Sequence, residues 1–177
     1  ARIAVGLLPP PTAAERALEL DPGHADTHAN LGRMYQLDAR QSAQVDGDFE
    51  KAAEFRQKGL EHAKQAVQLA PEDISIREDY VRALWDEGEW EEIINQLEIA
   101  YRYTPDTLYL RDWKIAPLIW LRRVDEAEAY LEELKQEFPH VDWEHRDSAF
   151  TVHRARGRLR QALASIYPGM HTNPISW

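Results

Sequence analysis

The sequence predicts an all-α fold in which a pair of helices is repeated along the chain. Three prolines set the period, because Pro105 stands 34 residues after Pro71 and Pro139 stands 34 residues after Pro105. Each proline follows a stretch whose small or apolar residues recur at helical spacing, and proline cannot continue a helix. A second helical stretch precedes each of these, so the repeated unit is helix, short turn, helix and proline.

The predicted elements follow this period from one end of the chain to the other. Residues 1–12 should be extended, because the prolines in "LLPPPT" disfavour helix in the residue before each of them. Residues 13–23 contain "AERALELDP", the closing half of a partial first repeat. Further repeats are predicted at about 24–72, 73–106, 107–140 and 141–168, so the repeat domain covers 13–168 and a non-helical tail covers 169–177.

The repeat at 24–72 is longer than the others. Pro71 stands 49 residues after Pro22, which is 15 more than the period. The extra residues surround "DGD", a turn signal, and the sequence on both sides of it is compatible with helix. We therefore expect both helices of this repeat to be elongated by about two turns, roughly 11 Å each. A disordered loop at the turn is the alternative.

Residues at equivalent places in the repeats follow a shared pattern. The stretch "NLGRMY" supplies Leu31, Gly32 and Tyr35 to one first helix. The next repeat carries Tyr80, Val81, Leu84, Gly88, Trp90, Ala100 and Pro105, and the third carries Ile115, Leu118, Ala127, Leu131 and Pro139. Over residues 12–167 this pattern resembles the tetratricopeptide repeat family. The resemblance implies a right-handed array of helical hairpins, a TPR-like α-solenoid, of a kind that works in multiprotein assemblies.

The third repeat departs from this pattern. Arg111 and Lys114 stand where the family tends to bury apolar groups, and Pro117 lies inside a predicted helix. Proline lacks the N–H that a helix needs and its ring collides with the preceding turn, so we expect a kink there.

A candidate binding surface follows from the helical register. In a stacked array the first helix of each repeat lines a concave surface, and its exposed stripe recurs every three to four residues. If Tyr80 and Leu84 face the core, Trp85 faces the opposite way. The predicted partner-binding residues are Glu78, Arg82, Trp85, Asp86, Tyr109, Asp112, Trp113, Trp120, Trp143, Arg146 and Phe150. The alternative is that the tryptophans fill gaps between irregularly packed helices, and Trp90 is assigned to packing.

The distribution of charge restricts the class of partner. The formal net charge is -10, and residues 71–143 carry 19 acidic and 8 basic side chains. Free nucleic acid is not expected as a partner, because a phosphate backbone is attracted by clustered lysine and arginine. The acidic residues beside the predicted stripe instead favour a protein or peptide of basic or amphipathic character. No apolar stretch approaches the roughly 20 residues that a membrane-spanning helix needs.

The sequence lacks the motifs of enzymes and of cofactor sites. Its eight glycines form neither GxGxxG nor a phosphate-binding loop, and it has no cysteine. His24 and His28 lie four residues apart, but no third metal ligand can be placed and surface histidines at a helix start are the simpler interpretation. We therefore expect a non-catalytic chain with no cofactor.

These observations favour a protein–protein interaction scaffold or assembly factor that binds a peptide or helix on a concave aromatic and acidic surface. One alternative is that the chain is the substrate-recruiting portion of a larger enzyme. Another is a self-associating structural subunit, in which the arginine-rich stretch "HRARGRLRQ" meets the acidic middle of a second copy. A solvated charged face is the default interpretation of such a stretch.

Overall fold

The structure is a computed structural model that describes residues 13–143, 146–158 and 162, and within them every regular element is helical. The helices are α1 (Ala13–Leu20), α2 (Ala25–Gln41), a π-helical turn (Ser42–Asp46), α3 (Phe49–Leu69), α4 (Ile74–Glu87), α5 (Trp90–Tyr103), α6 (Leu108–Asp112), α7 (Ile115–Trp120), α8 (Val124–Glu137) and α9 (Asp147–Ala155). The prediction of an all-α fold made of repeated helical hairpins is confirmed. The chain divides into two compact units, Ala1–Glu87 (unit 1) and Gly88–Trp177 (unit 2).

The longest helices of the described chain form the hairpin of unit 1. Helix α2 has 17 residues and α3 has 21, whereas α4 and α5 have 14 each. The π-helical turn continues α2 and ends at Gly47, whose φ of +68° is a conformation that glycine adopts without strain. Asp48 then caps α3 by accepting a hydrogen bond from the Lys51 backbone N–H at 3.0 Å. The elongated repeat is therefore confirmed, and the turn is ordered rather than a loose loop.

Small residues hold α2 against α3. A methyl group added to Gly32 would lie 3.2 Å from the carbonyl oxygen of Gly59, and one added to Gly59 would lie 3.1 Å from the carbonyl oxygen of Gly32. The two backbones can approach this closely because neither residue has a side chain. Buried alanines, among them Ala39, Ala52 and Ala63, continue the contact along the hairpin. We call this row the small-residue seam.

The core of unit 2 is built from larger side chains. Ile115 and Leu118 on α7 pack with Leu131 and Leu134 on α8 and with Val152 on α9, and all five are almost fully buried. Branched aliphatic side chains of this size each contribute about 1.5–3 kcal/mol when they are buried. Unit 2 therefore depends on the volume of its side chains rather than on close backbone contact.

Unit 2 also contains a broken helix. Helix α6 ends at Asp112 and α7 begins at Ile115, where a single helix was expected with a kink near Pro117. The pyrrolidine ring of Pro117 excludes the carbonyl four residues earlier, at Trp113, so the interruption falls at that residue. The hydroxyl group of Tyr101 donates to the carbonyl oxygens of Leu110 at 2.9 Å and Arg111 at 3.3 Å. It thereby satisfies acceptors that the break leaves without their usual partners.

Besides Gly47, three residues with positive φ mark turns, two of them between successive helices and one after α9. These are Gly88 with φ +75°, Arg122 with φ +63° and Gly157 with φ +71°. They recur at intervals of 34 and 35 residues, which is the period that the prolines indicate. Arg122 is the one residue other than glycine with positive φ in the described part of the chain, and this conformation costs a side-chain-bearing residue about 1 kcal/mol.

Candidate functional site

In unit 1 two ion pairs connect α2 to α4. The guanidinium of Arg33 lies 2.8 Å from the carboxylate of Asp79, and that of Arg40 lies 3.4 Å from the carboxylate of Asp86. The partners on each helix are seven residues apart, so both pairs lie on one side of α2 and one side of α4. We call the surface formed by Arg33, Leu37 and Arg40 on α2 and Glu78, Asp79, Arg82, Trp85 and Asp86 on α4 the α2–α4 face.

The charged residues predicted on α4 form a connected network on this face. Arg82 donates to Asp79 at 3.1 Å and to Glu78 at 3.2 Å, so Asp79 accepts bonds from two arginines. Burial raises the pKa of Glu78, while the neighbouring charge of Arg82 acts in the opposite direction. Because Arg82 is half exposed, its pair with Glu78 contributes at most about 1 kcal/mol to stability. The network mainly fixes the positions of these side chains.

Two exposed apolar side chains accompany the charges. Leu37 lies between Arg33 and Arg40 along α2 and is 63% exposed, and Trp85 on α4 is 36% exposed. Trp85 was predicted on this surface from the helical register, but Leu37 was not, because the predicted stripe was built on aromatic residues and α2 was given no binding role. The signal was present, since Leu37 is four residues after Arg33 and three before Arg40.

An open cavity lies at each end of the α2–α4 face. The one of about 300 Å³ is lined by polar side chains that include Asp26, Asn30, Asp73 and Ser75. The other has about 220 Å³ and is lined by residues that include Gln44 and Arg56. The face is therefore not flat, and each cavity offers space for a side chain of a bound segment.

In unit 2 the predicted residues of α6 pair with each other and with the start of α9. Tyr109 meets Trp113 edge to face, with ring centroids 5.8 Å apart. One oxygen of Asp112 accepts bonds from Arg146 Nε at 3.1 Å and from a terminal nitrogen of the same guanidinium at 2.7 Å. The other Asp112 oxygen is buried and has no hydrogen-bond partner in the described part of the chain. Phe150 is half buried, and the guanidinium of Arg154 lies 5.5 Å from its ring centroid.

The most exposed tryptophan of the described chain is Trp120. It is 61% exposed and stacks on Trp90, with ring centroids 5.5 Å apart and planes 9° from parallel. The stacked pair thus has one half-buried ring and one ring that faces solvent. Trp90 supports Trp120, which fits its assignment to packing.

Trp143 is not on an exposed surface, contrary to the prediction. Its side chain is only 7% exposed, belongs to the core of unit 2, and donates its indole N–H to the carbonyl oxygen of Phe138 at 3.0 Å. The helical register did not apply to it, because α9 begins at Asp147 and Trp143 lies in the turn before that helix. Arg146, whose guanidinium lies 5.6 Å from the Trp143 ring centroid, precedes the same helix as its N-cap residue.

The arginine-rich stretch is partly neutralised within unit 2. Arg156 bonds to Asp125 and, at 2.8 Å, to Glu128, and Arg158 also bonds to Glu128. The hydrogen bond from Arg158 lowers the pKa of Glu128, with a smaller contribution from Arg156. Arg160 lies outside the described residues. Two of the arginines expected to attract a second copy are therefore already paired within the chain.

The histidines take structural positions. His24 caps α2, where its ring nitrogen accepts a bond from the Thr27 N–H at 3.2 Å. His28 is buried, not at the surface as expected, with its Nδ1 2.9 Å from Nδ1 of His62 and its Nε2 3.1 Å from the Pro22 carbonyl oxygen. Across residues 13–143, 146–158 and 162, no group of three or more histidine or acidic residues is placed to hold a metal ion. No helix among them has the length and apolar character to span a membrane.

Comparisons with known proteins found matching solved structures but no family. No protein-family model and no curated protein matches the sequence. Twenty-nine chains of solved structures match the structure. One of these, "MamA MSR-1 C2", is 15% identical with a TM-score of 0.49, and the match covers 85% of this chain and 90% of that chain.

Proposed function

We propose that this chain is a non-catalytic interaction protein of the tetratricopeptide type, which binds a peptide or helix of another protein. The observation that carries the proposal is the α2–α4 face, where exposed Leu37 and Trp85 lie among charged side chains held in place by ion pairs. A tryptophan side chain on a fixed surface gives a partner a large apolar contact at a low cost in conformational entropy, and Leu37 adds apolar area to the same face.

The charge of this face supports a basic or amphipathic partner. The face has three carboxylates and three guanidinium groups, and the cavities at its ends add the carboxylates of Asp26 and Asp73 and the guanidinium of Arg56. Carboxylates exceed guanidinium groups by one, and the excess lies at the cavity of Asp26 and Asp73, so lysine or arginine beside apolar anchors would complement that end of the face.

Unit 2 offers a second aromatic surface for the same kind of partner. We propose that Trp120, supported by Trp90, is its main anchor, and that Tyr109 and Trp113 add contact area. Asp112, Arg146 and Phe150 stay in the proposed set, whereas Trp143 is removed from it because its side chain is buried.

Binding of designed helical peptides would test the proposal. One labelled peptide carries a leucine stripe with lysine flanks, and its counterpart carries glutamate in place of lysine. We expect fluorescence anisotropy to show binding of the lysine peptide alone, weakened about tenfold or more by Leu37→Ala with Trp85→Ala, which corresponds to about 1.4 kcal/mol. Leu69→Ala is the matched control, since Leu69 is also exposed but lies at the end of α3. Equal affinity for both peptides, or no loss in the double variant, would refute a role for this face.

A separate measurement addresses the surface of unit 2. We expect Trp120→Ala to weaken binding of the same lysine peptide while lowering the free energy of unfolding by no more than about 1.5 kcal/mol, because the largely exposed indole loses its stacking on Trp90. Circular dichroism would check the fold of each variant. Unchanged affinity for the peptide would leave the stacked indoles with a packing role only.

A further inference from the structure

The turn between α2 and α3 extends past the buried part of unit 1. Ala39, Ser42 and Ala52 are the last buried residues on either side of it, and residues 44–51 between them are all exposed. We call residues 44–51 the hairpin tip. Because none of its side chains is buried, the tip adds little to the core of unit 1.

Hydrogen bonds nevertheless fix the conformation of the hairpin tip. The carbonyl oxygen of Ser42 accepts bonds from the backbone N–H of Gly47 and, at 2.9 Å, from that of Asp48. The Asp48 side chain accepts a third bond, from Lys51 N–H at 3.0 Å. A turn held in this way loses little conformational entropy when it docks against another molecule.

The fixed tip presents two large apolar side chains to solvent. Val45 on the π-helical turn is 76% exposed, and Phe49 at the first position of α3 is 71% exposed. They are four residues apart in the sequence, on either side of the turn at Gly47. Transfer of such side chains from water into an apolar pocket is favourable. The tip itself contains no such pocket, because all of residues 44–51 are exposed.

Carboxylates surround these two side chains. Asp46, Asp48 and Glu50 alternate along the chain with Gly47 and Phe49, and all three carboxylate side chains are exposed. The single basic residue of the tip, Lys51, lies 5.5 Å from the ring centroid of Phe55. A surface with acidic groups around apolar ones is complemented by lysine or arginine around an apolar pocket, and it is repelled by anionic lipid.

We propose that the hairpin tip is a docking site for a partner protein, which receives Val45 and Phe49 in an apolar pocket rimmed by lysine or arginine. A second copy of this chain is a poor occupant, since its net charge is -10. The tip adjoins the cavity at one end of the α2–α4 face through Gln44, but its proposed anchors, Val45 and Phe49, are different from Leu37 and Trp85, so each site is tested with its own variants.

Selection from a displayed random-peptide library would test this proposal on the full chain. The bait is the unaltered chain, and bound peptides are then screened against the Val45→Ser, Phe49→Ser variant. The matched control is Leu20→Ser with Leu69→Ser, which removes two equally large exposed side chains of unit 1 that lie far from the tip in sequence. Circular dichroism and melting temperature should be unchanged in both variants, because all four positions are exposed.

We expect a class of peptides rich in apolar residues and in lysine or arginine. Its affinity should fall about tenfold or more in the tip variant, with no change in the control. An Asp46→Lys, Glu50→Lys variant should bind the same peptides more weakly, and its affinity for them should no longer fall as the salt concentration rises. The proposal would be overturned if the enriched peptides were acidic. It would also be overturned if they bound the tip variant as tightly as they bind the unaltered chain or the control.

Two further measurements test whether the tip instead binds anionic lipid or a second copy of this chain. Co-sedimentation with vesicles of phosphatidylcholine and phosphatidylglycerol would overturn the proposal if binding depended on Val45 and Phe49. Sedimentation velocity would overturn it if a dimer of the unaltered chain dissociated in the tip variant.

Discussion

The hairpin of unit 1 and the core of unit 2 satisfy the same helical repeat in different ways. In unit 1, α2 and α3 are long and uninterrupted and touch through Gly32, Gly59 and buried alanines. In unit 2 a proline accompanies the break between α6 and α7, and Leu118, Leu131 and other large side chains fill the space between elements. Long straight helices can bring their backbones together over their whole length, whereas short broken ones cannot, so side-chain volume must compensate.

The largest effect should come from removing volume in unit 2. Leu118 is fully buried between α7 and α8, so Leu118→Ala should lower the free energy of unfolding by about 2–5 kcal/mol through lost burial and a residual cavity. Urea unfolding followed by tryptophan fluorescence measures it, since five of the six tryptophans lie after Glu87. Leu37→Ala at an exposed position should change stability by less than about 0.5 kcal/mol. If Leu118→Ala lowered the free energy of unfolding by no more than the control Leu37→Ala, the core of unit 2 would not depend on side-chain volume.

In unit 1 the corresponding loss of stability should come from adding side-chain volume to the small-residue seam. Gly59→Ala places a methyl group 3.1 Å from the Gly32 carbonyl oxygen, and a backbone atom cannot move aside as a side chain could. We expect a net loss of about 1–2 kcal/mol, because overpacking outweighs the better helix propensity of alanine. The control is Gly23→Ala, where the new methyl group would meet nothing closer than 3.6 Å. A stabilised Gly59→Ala chain would show that the seam has room to spare.

A smaller effect is expected at the turns with positive φ. Arg122→Gly should raise the free energy of unfolding by up to about 1 kcal/mol, because glycine adopts this conformation without strain. Gly88→Ala, 34 residues earlier, should lower it by about the same amount. Thermal unfolding of both variants measures the pair, and shifts of the same sign would argue against equivalent turns in the two repeats.

Acidification should affect both units weakly and in one direction. Burial lowers the pKa of His62, and the facing His28 lowers it further, while Glu61 and Glu15 raise it. Burial, Lys135 and Arg158 lower the pKa of His153 in unit 2, against Glu128 and Glu132. A histidine that binds its proton less readily when folded favours the folded state above its unfolded pKa, near 6.5, and loses that contribution as the pH falls below it.

Hydrogen exchange can assign this pH dependence to each unit. Between about pH 7.5 and pH 5.5, protection of α2 and α3 should fall in the unaltered chain and fall less in a His62→Gln variant. His153→Gln should have the same effect on α8 and α9 and none on α2 and α3. Protection that increased on acidification would contradict the lowered pKa of these groups.

Much of the fold could be predicted from local patterns, but the candidate site could be predicted only in part. The proline interval, the "DGD" turn and the helical spacing of small residues are read within short windows, and the observed helices begin and end close to them. Trp85 and Trp120 are exposed as a helical stripe predicts, whereas Trp143 is buried. The prediction for Trp143 was wrong because a stripe extends only as far as its helix, and α9 starts four residues later.

The sequence by itself determined where helices form, where they stop and that they repeat, because proline, glycine and helical periodicity act on the chain locally. The tertiary structure decided which residues are available to a partner. It buried Trp143, stacked Trp120 on Trp90, paired Arg33 with Asp79 and exposed Leu37. Each of these outcomes depends on residues far apart in the chain, and burial is set by what neighbouring elements place against a side chain.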